Sequence, residues 1–313
     1  MDTSVRNCKD FIIFESISYL KKNTLMRLPV FLLSLSLLIG MACQTESPVP
    51  PAPISTPKPS APPVEYTFAD TPSWQDEFDY NGKPDPAKWG YDVGGTGWGN
   101  NEMQNYTNNL ENAFVKDGHL TIKAIKEPSG GRNYSSARLV TKGKGDFLYG
   151  KIEVRAKLPT GVGTWPAIWT LASQSDYGTQ YWPDNGELDI MEHVGFDQNT
   201  VHANIHTKAF NHAIGTNKGN KIQVPTASTE FHVYSCEWKP DLIVFSVDGK
   251  EYFRFQKDSL YGWAEWPFNK PQHLLLNIAV GGNWGGQKGV DNSIFPQSME
   301  VDYVRVYKLV EKK

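Results

Sequence analysis

The chain has 313 residues, of which 21% are charged, and a formal net charge of -3. A charge balance this close to neutral excludes a nucleic-acid-binding surface and a basic membrane-binding face. The length suits one large domain, because all-β sandwiches often exceed about 200 residues as a single unit. Ten tryptophans and an aromatic content of 12% suit either a large β core or an aromatic binding cleft.

An export segment lies near the start of the chain. Residues 26–43 have a basic start, an apolar run and small residues directly before Cys43, which is the pattern of a secretory signal peptide. The apolar run is shorter than the ~20 residues of a comfortable transmembrane span. A signal peptide is N-terminal, yet residues 1–25 precede this one. We therefore expect them to be a non-native extension, with translation beginning at Met26.

The cysteine at the expected cleavage point resembles the lipidated cysteine of bacterial lipoproteins. Lipidation of Cys43 would anchor the protein to a membrane, facing the periplasm or the cell surface, and secretion after cleavage nearby is the alternative. Residues 44–65 are rich in Pro, Ser, Thr and Ala, which predicts a disordered, semi-rigid linker. The remaining cysteines, Cys8 and Cys236, give no disulfide framework, and Cys236 lies in a strand-like, apolar context.

After the linker, short runs of alternating apolar and polar residues predict strands without intervening helices. These runs are 119–125, 150–158 and 299–307, together with a more continuously apolar run over 272–280. Asp248-Gly249 separates two further runs and predicts a hairpin with a type I′ turn. This pattern predicts an all-β domain over 66–310, built as an antiparallel two-sheet β-sandwich, most simply a jelly roll.

The acidic run Glu187-Leu-Asp-Ile-Met-Glu192 poses a problem of strand geometry. Side chains alternate faces along a regular strand, so Glu187 and Asp189 would share one face and Glu192 would point to the other. One extra residue at Ile190-Met191, a β-bulge, would return Glu192 to their face. We therefore predict a bulge and a strip of three carboxyls.

Three clustered carboxyls suit glycoside hydrolysis. Like charges raise one another's pKa until some carboxyls are protonated at neutral pH. A retaining glycosidase needs one carboxylate to attack and one carboxylic acid about 5 to 5.5 Å away to protonate the leaving oxygen. The alternative is a solvated acidic strand face. Apolar Leu188, Ile190 and Met191, with Trp165 and Trp169 on one face of an upstream strand, favour the catalytic interpretation.

The residues of this region resemble glycoside hydrolase family 16 in its bulged, laminarinase-like form. The resemblance covers most of residues 66–310. The matching segments are Gly186-Glu-Leu-Asp-Ile-Met-Glu-His193, Gly97-Trp-Gly-Asn-Asn-Glu-Met-Gln-Asn-Tyr-Thr107, Trp165-Pro-Ala-Ile-Trp169, Gly281-Gly-Asn-Trp284 and Val301-Asp-Tyr-Val-Arg-Val-Tyr307. It implies a curved jelly roll whose concave sheet forms an open substrate cleft.

The resemblance also implies roles for individual residues. It makes Glu187 the nucleophile, Glu192 the general acid and then base, and Asp189 the residue that tunes the nucleophile. The substrate-binding residues that we expect are Trp165, Trp169, Arg138, Asn204, His206, Trp284 and Asn101.

No cofactor is expected for catalysis. His202 and His206 have a spacing that binds zinc on helices, but their segment is strand-like, which argues against a zinc site. A structural calcium ion is a candidate, because many family members bind one through backbone oxygens and an aspartate that matches Asp302. The carbonyl of Gly118 and the side chain of Glu77 are further candidate ligands. Asp302 could equally be a solvated strand residue.

Together these features predict a retaining endo-β-glucanase that acts as a monomer on β-1,3-glucan or mixed-linkage β-1,3-1,4-glucan. A membrane would be reached only through the lipid anchor. Two alternatives share the fold: a non-catalytic β-glucan-binding protein and a transglycosylase. Sulfated galactans fit less well, because the mildly acidic chain offers few basic residues for them.

Overall fold

A computed structural model describes residues 64–312. The expected extension 1–25, the signal segment 26–43 with Cys43, and nearly all of the linker 44–65 lie outside the described residues. Within the described part, no helix is long and apolar enough to cross a membrane.

Strands dominate the described chain, and the only helices in residues 64–312 are two 3₁₀ turns, His212–Ile214 and Asn292–Ile294. The strands are β1 (Tyr66–Phe68), β2 (Trp74–Asp76), β3 (Gly90–Tyr91), β4 (Gln104–Tyr106), β5 (Ala113–Lys116), β6 (His119–Ala124), β7 (Tyr134–Ser136), β8 (Arg138–Val140), β9 (Asp146–Phe147), β10 (Gly150–Lys157), β11 (Thr164–Ala172), β12 (Glu187–His193), β13 (Thr200–His206), β14 (Lys218–Gln223), β15 (His232–Trp238), β16 (Leu242–Val247), β17 (Lys250–Gln256), β18 (Gln272–Val280), β19 (Gln297–Tyr307) and β20 (Leu309–Glu311).

Two eight-stranded antiparallel sheets form the sandwich. The first, which we name the back sheet, has the order β17-β16-β15-β10-β19-β6-β5, with β2 also paired to β19. The second, the cleft sheet, has the order β14-β13-β12-β11-β18-β8-β3, with β9 also paired to β18. Small pairs complete the described fold: parallel β4 and β7, and antiparallel β1 and β20. The predicted all-β, two-sheet jelly roll is confirmed.

The core lies between the two sheets and follows from the alternation of side chains. On β10, Ile152, Val154 and Ala156 are buried in the core, while the residues between them are partly exposed. On the cleft sheet, β12 contributes Leu188 and Ile190 to the same core. Because burying each such side chain contributes roughly 1.5–3 kcal/mol, this shared core holds the sheets face to face. The outer face of the cleft sheet is thereby left for the site.

The predicted strands are found with small differences at their ends. The strand predicted at 272–280 has those bounds, and that at 119–125 ends one residue earlier, at Ala124. The hairpin joins β16 to β17 through Asp248 and Gly249, whose φ values of 50° and 76° are both positive, as a type I′ turn requires. Local sequence signals therefore determine these elements.

Candidate active site

The predicted bulge is present in β12. Against β13, Asp189 lies opposite Asn204 and Glu192 lies opposite His202, so Ile190 and Met191 together face Ala203 alone. Against β11, the register also shifts by one residue, between Met191 and Asp189. Ile190 and Met191 are both fully buried in the core. The extra residue therefore returns Glu192 to the face that bears Glu187 and Asp189.

The three carboxyls line the outer face of the cleft sheet and are largely buried. The side chain of Glu187 is 13% exposed, Asp189 is almost completely buried, and Glu192 is 9% exposed. A nitrogen of His206 lies 3.2 Å from Asp189 Oδ2 and 3.9 Å from Glu187 Oε1. The imidazole of His206 therefore sits beside the Glu187 end of the strip.

Two side chains fix Glu192. The indole nitrogen of Trp165 donates to Glu192 Oε1 at 3.0 Å, and Asn204 Nδ2 donates to Glu192 Oε2 at 2.9 Å. Each carboxyl oxygen thus has its own donor, so the carboxyl plane is held in one orientation.

Burial raises the pKa of all three carboxyls. For Glu187, desolvation raises the pKa well above its ordinary value, the charge of Asp189 raises it further, and His206 opposes the shift. The pKa of Asp189 is likewise raised by burial and by the charge of Glu192. For Glu192, burial also dominates, while His206 and the donors Trp165 and Asn204 lower the pKa. Carboxyls that share protons near neutral pH are what acid-assisted displacement requires.

The trio lies in a cleft with two lobes. The first lobe has a volume of about 340 Å³, and Trp98, Arg138, Trp169, Tyr181, Trp182, Asp189 and Asn277 are among its lining residues. The second has a volume of about 430 Å³, and its lining includes His202, Asn204, His206, Asn217, Trp284 and Gln287. Glu187, Glu192 and Trp165 line both lobes. The cleft therefore extends to both sides of the two glutamates.

Aromatic and cationic groups shape the first lobe. The guanidinium of Arg138 lies over the rings of Trp98 and Trp169, 4.8 and 4.7 Å from their centroids, and its Nε is 3.0 Å from Asp92. Trp169 donates through its indole nitrogen to Asn277 Oδ1 at 2.7 Å. As predicted, Arg138, Trp165 and Trp169 belong to the cleft. Within the first lobe, Arg138 and Trp169 pack against each other.

A buried polar network behind Trp169 was missed by the sequence reasoning. Asn277 donates to the hydroxyl of Tyr106, which donates to Glu102 Oε2, and Gln104 donates to the same oxygen. Burial raises the pKa of Glu102, and its donors lower it. The motif from 97 to 107 pointed to this segment, but the partner Asn277 comes from β18, and no local signal connects it to Glu102.

Of the other predicted substrate-binding residues, Trp284, Asn204 and His206 line the second lobe. Trp284 packs edge to face against Trp165 with centroids 5.6 Å apart. Asn101 is placed differently from the prediction. Its neighbour Asn100 lines both lobes, whereas Asn101 lines neither, has a φ of 55° and donates to Asn283 Oδ1 at 2.8 Å. Asn101 is therefore a support for the lobe wall.

Two of the candidate calcium ligands, Asp302 and Glu77, have other partners. Asp302 pairs with Arg155 at 2.5 Å and lies 3.7 Å from His119, and both carboxyl oxygens of Glu77 bind Arg305. Within residues 64–312, the one grouping of three side chains close enough to share a metal ion is Glu187, Asp189 and His206. The side chains around Asp302 thus form an ion-pair network.

Comparison with known proteins agrees with this geometry. Residues 100–305 match the family "Glycosyl hydrolases family 16". The β-glucanase of Rhodothermus marinus is 58% identical over 243 residues, which cover 76% of this chain and 85% of that protein. The X-ray structure of the laminarinase from Rhodothermus marinus is 56% identical, with a TM-score of 0.77, over 79% of this chain and 99% of that one.

A third comparison is with a complex. The crystal structure of a non-specific endo-β-1,3(4)-glucanase presents 1,3-β-D-cellobiosyl-glucose at its active site. It is 46% identical, with a TM-score of 0.73, over 80% of this chain and 98% of that one. Fold and site together define a β-sandwich glycoside hydrolase. The chain belongs to glycoside hydrolase family 16.

The raised pKa of Glu187 makes a prediction about stability. Below its ordinary pKa the side chain is protonated in both the folded and the unfolded state. As pH rises, the unfolded state loses its proton first, so the folded state loses stability relative to it. Glu187→Gln should therefore raise Tm at about pH 7 and leave it nearly unchanged at about pH 4, with roughly 2–4 °C for each kcal/mol.

Thermal unfolding at both pH values measures this effect. Exposed Glu230→Gln is the matched control and should show no such difference. An equal Tm change for Glu187→Gln at the two pH values would contradict the shift.

Proposed function

We propose that the protein is a retaining endo-β-glucanase that cleaves internal β-1,3 or β-1,3-1,4 linkages by double displacement. The observation that carries this proposal is the bulged strand β12, which aims Glu187, Asp189 and Glu192 into one cleft. The lobes on both sides of the glutamates give room for sugars before and after the cleaved bond, which is what cutting within a chain requires.

In the first step, the Glu187 carboxylate attacks the anomeric carbon and forms a covalent ester, while Glu192 gives its proton to the departing glycosidic oxygen. In the second step, Glu192 takes a proton from water, the resulting hydroxide attacks the same carbon, and Glu187 leaves as a carboxylate. Asp189, which hydrogen-bonds to Glu187, tunes the pKa of the nucleophile. No cofactor takes part.

Neutral glucan is the substrate that suits the cleft lining. Trp165, Trp169 and Trp284 offer flat rings for sugar faces, and amide side chains offer hydrogen bonds. The laminarinase of Rhodothermus marinus and the non-specific endo-β-1,3(4)-glucanase support β-1,3-glucan as the first substrate to test, with mixed-linkage glucan second.

Transglycosylation would use the same covalent intermediate, with a sugar hydroxyl in place of water, and analysis of products at high acceptor concentration separates the two outcomes. A binding protein without activity is disfavoured, because both glutamates are present and largely buried in the cleft.

Replacement of either glutamate tests the mechanism. Glu187→Gln and Glu192→Gln should each lower kcat on laminarin by about 10²–10⁴-fold or more, because each removes a group that acts in the transition state. Release of reducing sugar measures the loss, with Glu230→Gln as the matched control. Proton NMR of the first products should show the β-anomer. An initial α-anomer would contradict retention, and full activity of Glu187→Gln would overturn the assignment.

The structural calcium ion stays a prediction. Calcium held by Asp302 and Glu77 would have to displace Arg155 from Asp302 and Arg305 from Glu77, while the Gly118 carbonyl would complete its ligands. If calcium binds there, added calcium raises Tm relative to EGTA, and Asp302→Asn abolishes this increase. An unchanged Tm would show that the ion pairs alone occupy this region.

We propose further that Cys43 carries a lipid that anchors a monomeric catalytic domain to a membrane, through the signal in 26–43 and the linker in 44–65. Such a tether would let the domain reach a bulky polymer. Cys43→Ser should move the enzyme from the membrane fraction to the soluble fraction. A wild-type protein found only in the soluble fraction would favour secretion instead.

A further inference from the structure

A chain of hydrogen bonds leads from the buried carboxyl of Glu102 to the indole of Trp169 in the first lobe. The Trp169 indole nitrogen donates to Asn277 Oδ1 at 2.7 Å, and Asn277 Nδ2 donates to the Tyr106 hydroxyl at 3.0 Å. That hydroxyl donates to Glu102 Oε2 at 3.2 Å. Glu102, Tyr106 and Asn277 are all buried, so little water competes for these hydrogen bonds. The three residues therefore form a continuous support behind Trp169.

The chemistry of its two ends gives the chain a single direction. An indole nitrogen can only donate, so Asn277 must turn its oxygen towards Trp169 and its NH2 group towards Tyr106. At the other end, Gln104 Nε2 also donates to Glu102 Oε2, at 2.6 Å, because the Gln104 oxygen accepts a backbone N–H of β18. Glu102 is therefore the acceptor on which the chain ends.

Tyr106 also contacts the other indole of the first lobe. Its ring centroid lies 5.4 Å from that of Trp98. The guanidinium of Arg138 lies over both indoles, 4.8 Å from the Trp98 centroid and 4.7 Å from the Trp169 centroid. Tyr106 thus packs against Trp98 directly and reaches Trp169 through Asn277. One buried residue therefore supports both of the rings that Arg138 contacts.

Backbone pairing fixes the segments that carry the chain. The backbone of Glu102 pairs with Gly281, directly after β18. Within β18, Asn277 lies opposite Ala167 of β11, two residues before Trp169. Because the strands are held in this way, the side-chain hydrogen bonds determine the orientation of the Trp169 ring and not the path of the backbone.

We propose that Tyr106 and Glu102 are positioning residues, which hold the Trp169 indole in the orientation that a sugar ring meets in the first lobe. The inference rests on the proposed function and deepens it. Glu192 is oriented separately, by other donors. Loss of the chain should therefore weaken the binding of glucan, seen in KM, more than it slows the chemical step, seen in kcat.

Removal of one hydroxyl tests this inference. Tyr106→Phe keeps the ring beside Trp98 and leaves Asn277 Nδ2 without its acceptor. Initial rates on laminarin should show a KM raised about three- to tenfold and a kcat changed by less than about twofold. An unchanged KM would overturn the inference.

A second background shows whether Tyr106 acts through Trp169. Trp169→Phe removes the indole N–H, which is the far end of the chain. In that background, Tyr106→Phe should raise the KM by less than about a further twofold, because the two changes interrupt the same chain. An equal rise in both backgrounds would contradict the inference, since Tyr106 would then act on another part of the protein.

Two variants of Glu102 test the end of the chain. Glu102→Leu removes the acceptor and should raise the KM as Tyr106→Phe does, whereas Glu102→Gln keeps a carbonyl acceptor and should restore most of the wild-type KM. Equal KM values for the two variants would overturn the role of Glu102.

Tyr134→Phe is the matched control, because Tyr134 is also buried and its hydroxyl donates to Asn292 Oδ1 at 2.7 Å. It should lower Tm about as much as Tyr106→Phe does and leave the KM unchanged. A KM as high in Tyr134→Phe as in Tyr106→Phe would mean that any lost buried hydrogen bond weakens binding, and the positioning role would be wrong while the proposed function stands. A wild-type protein that cleaves no glucan would overturn the proposed function, and this inference with it.

Discussion

The site depends on one conflict within a single strand. The residues of β12 must supply the core with apolar side chains and the cleft with carboxyls, and an alternating strand cannot do both over six residues. The bulge resolves the conflict, because Ile190 and Met191 are both buried in the core while Glu192 returns to the cleft face. A regular β12 would leave either a carboxyl in the core or a methionine in the cleft. Core packing and chemistry are therefore fixed together.

Around this strand the structure separates two tasks. Neighbouring strands hold the carboxyls, through Trp165 from β11 and Asn204 from β13. The loops and the outer strands supply the walls of the cleft. Burial of three acids is unfavourable for stability, since it raises the pKa of each, yet a raised pKa is also what a carboxylic acid needs in order to donate a proton during catalysis. Burial of the three carboxyls is therefore the cause both of their cost to stability and of their raised pKa.

Sequence patterns predicted the parts of this protein that depend on local periodicity. The strands, the Asp248-Gly249 turn, the bulge and most of the cleft residues follow from alternation and from motifs. What could not be predicted depends on contacts between distant segments. The partnership of Asn277 with Tyr106 and Glu102 joins β18 to β4, and the ion pairs of Asp302 and Glu77 join other strands. At Asn101, the left-handed backbone conformation and the hydrogen bond to the distant Asn283 are also not visible in the sequence pattern.

The pairing of the first and last strands has a consequence for how the domain can be combined with others. Tyr66 in β1 lies opposite Glu311 in β20, and the backbone of Lys312 donates to the carbonyl of Glu65. Both ends of the fold therefore leave from one place on its surface. A domain with adjacent ends can be inserted into a longer chain, or circularly permuted, without rerouting any strand of the sandwich. The fold can thus be joined to other domains at the single place where β1 and β20 pair.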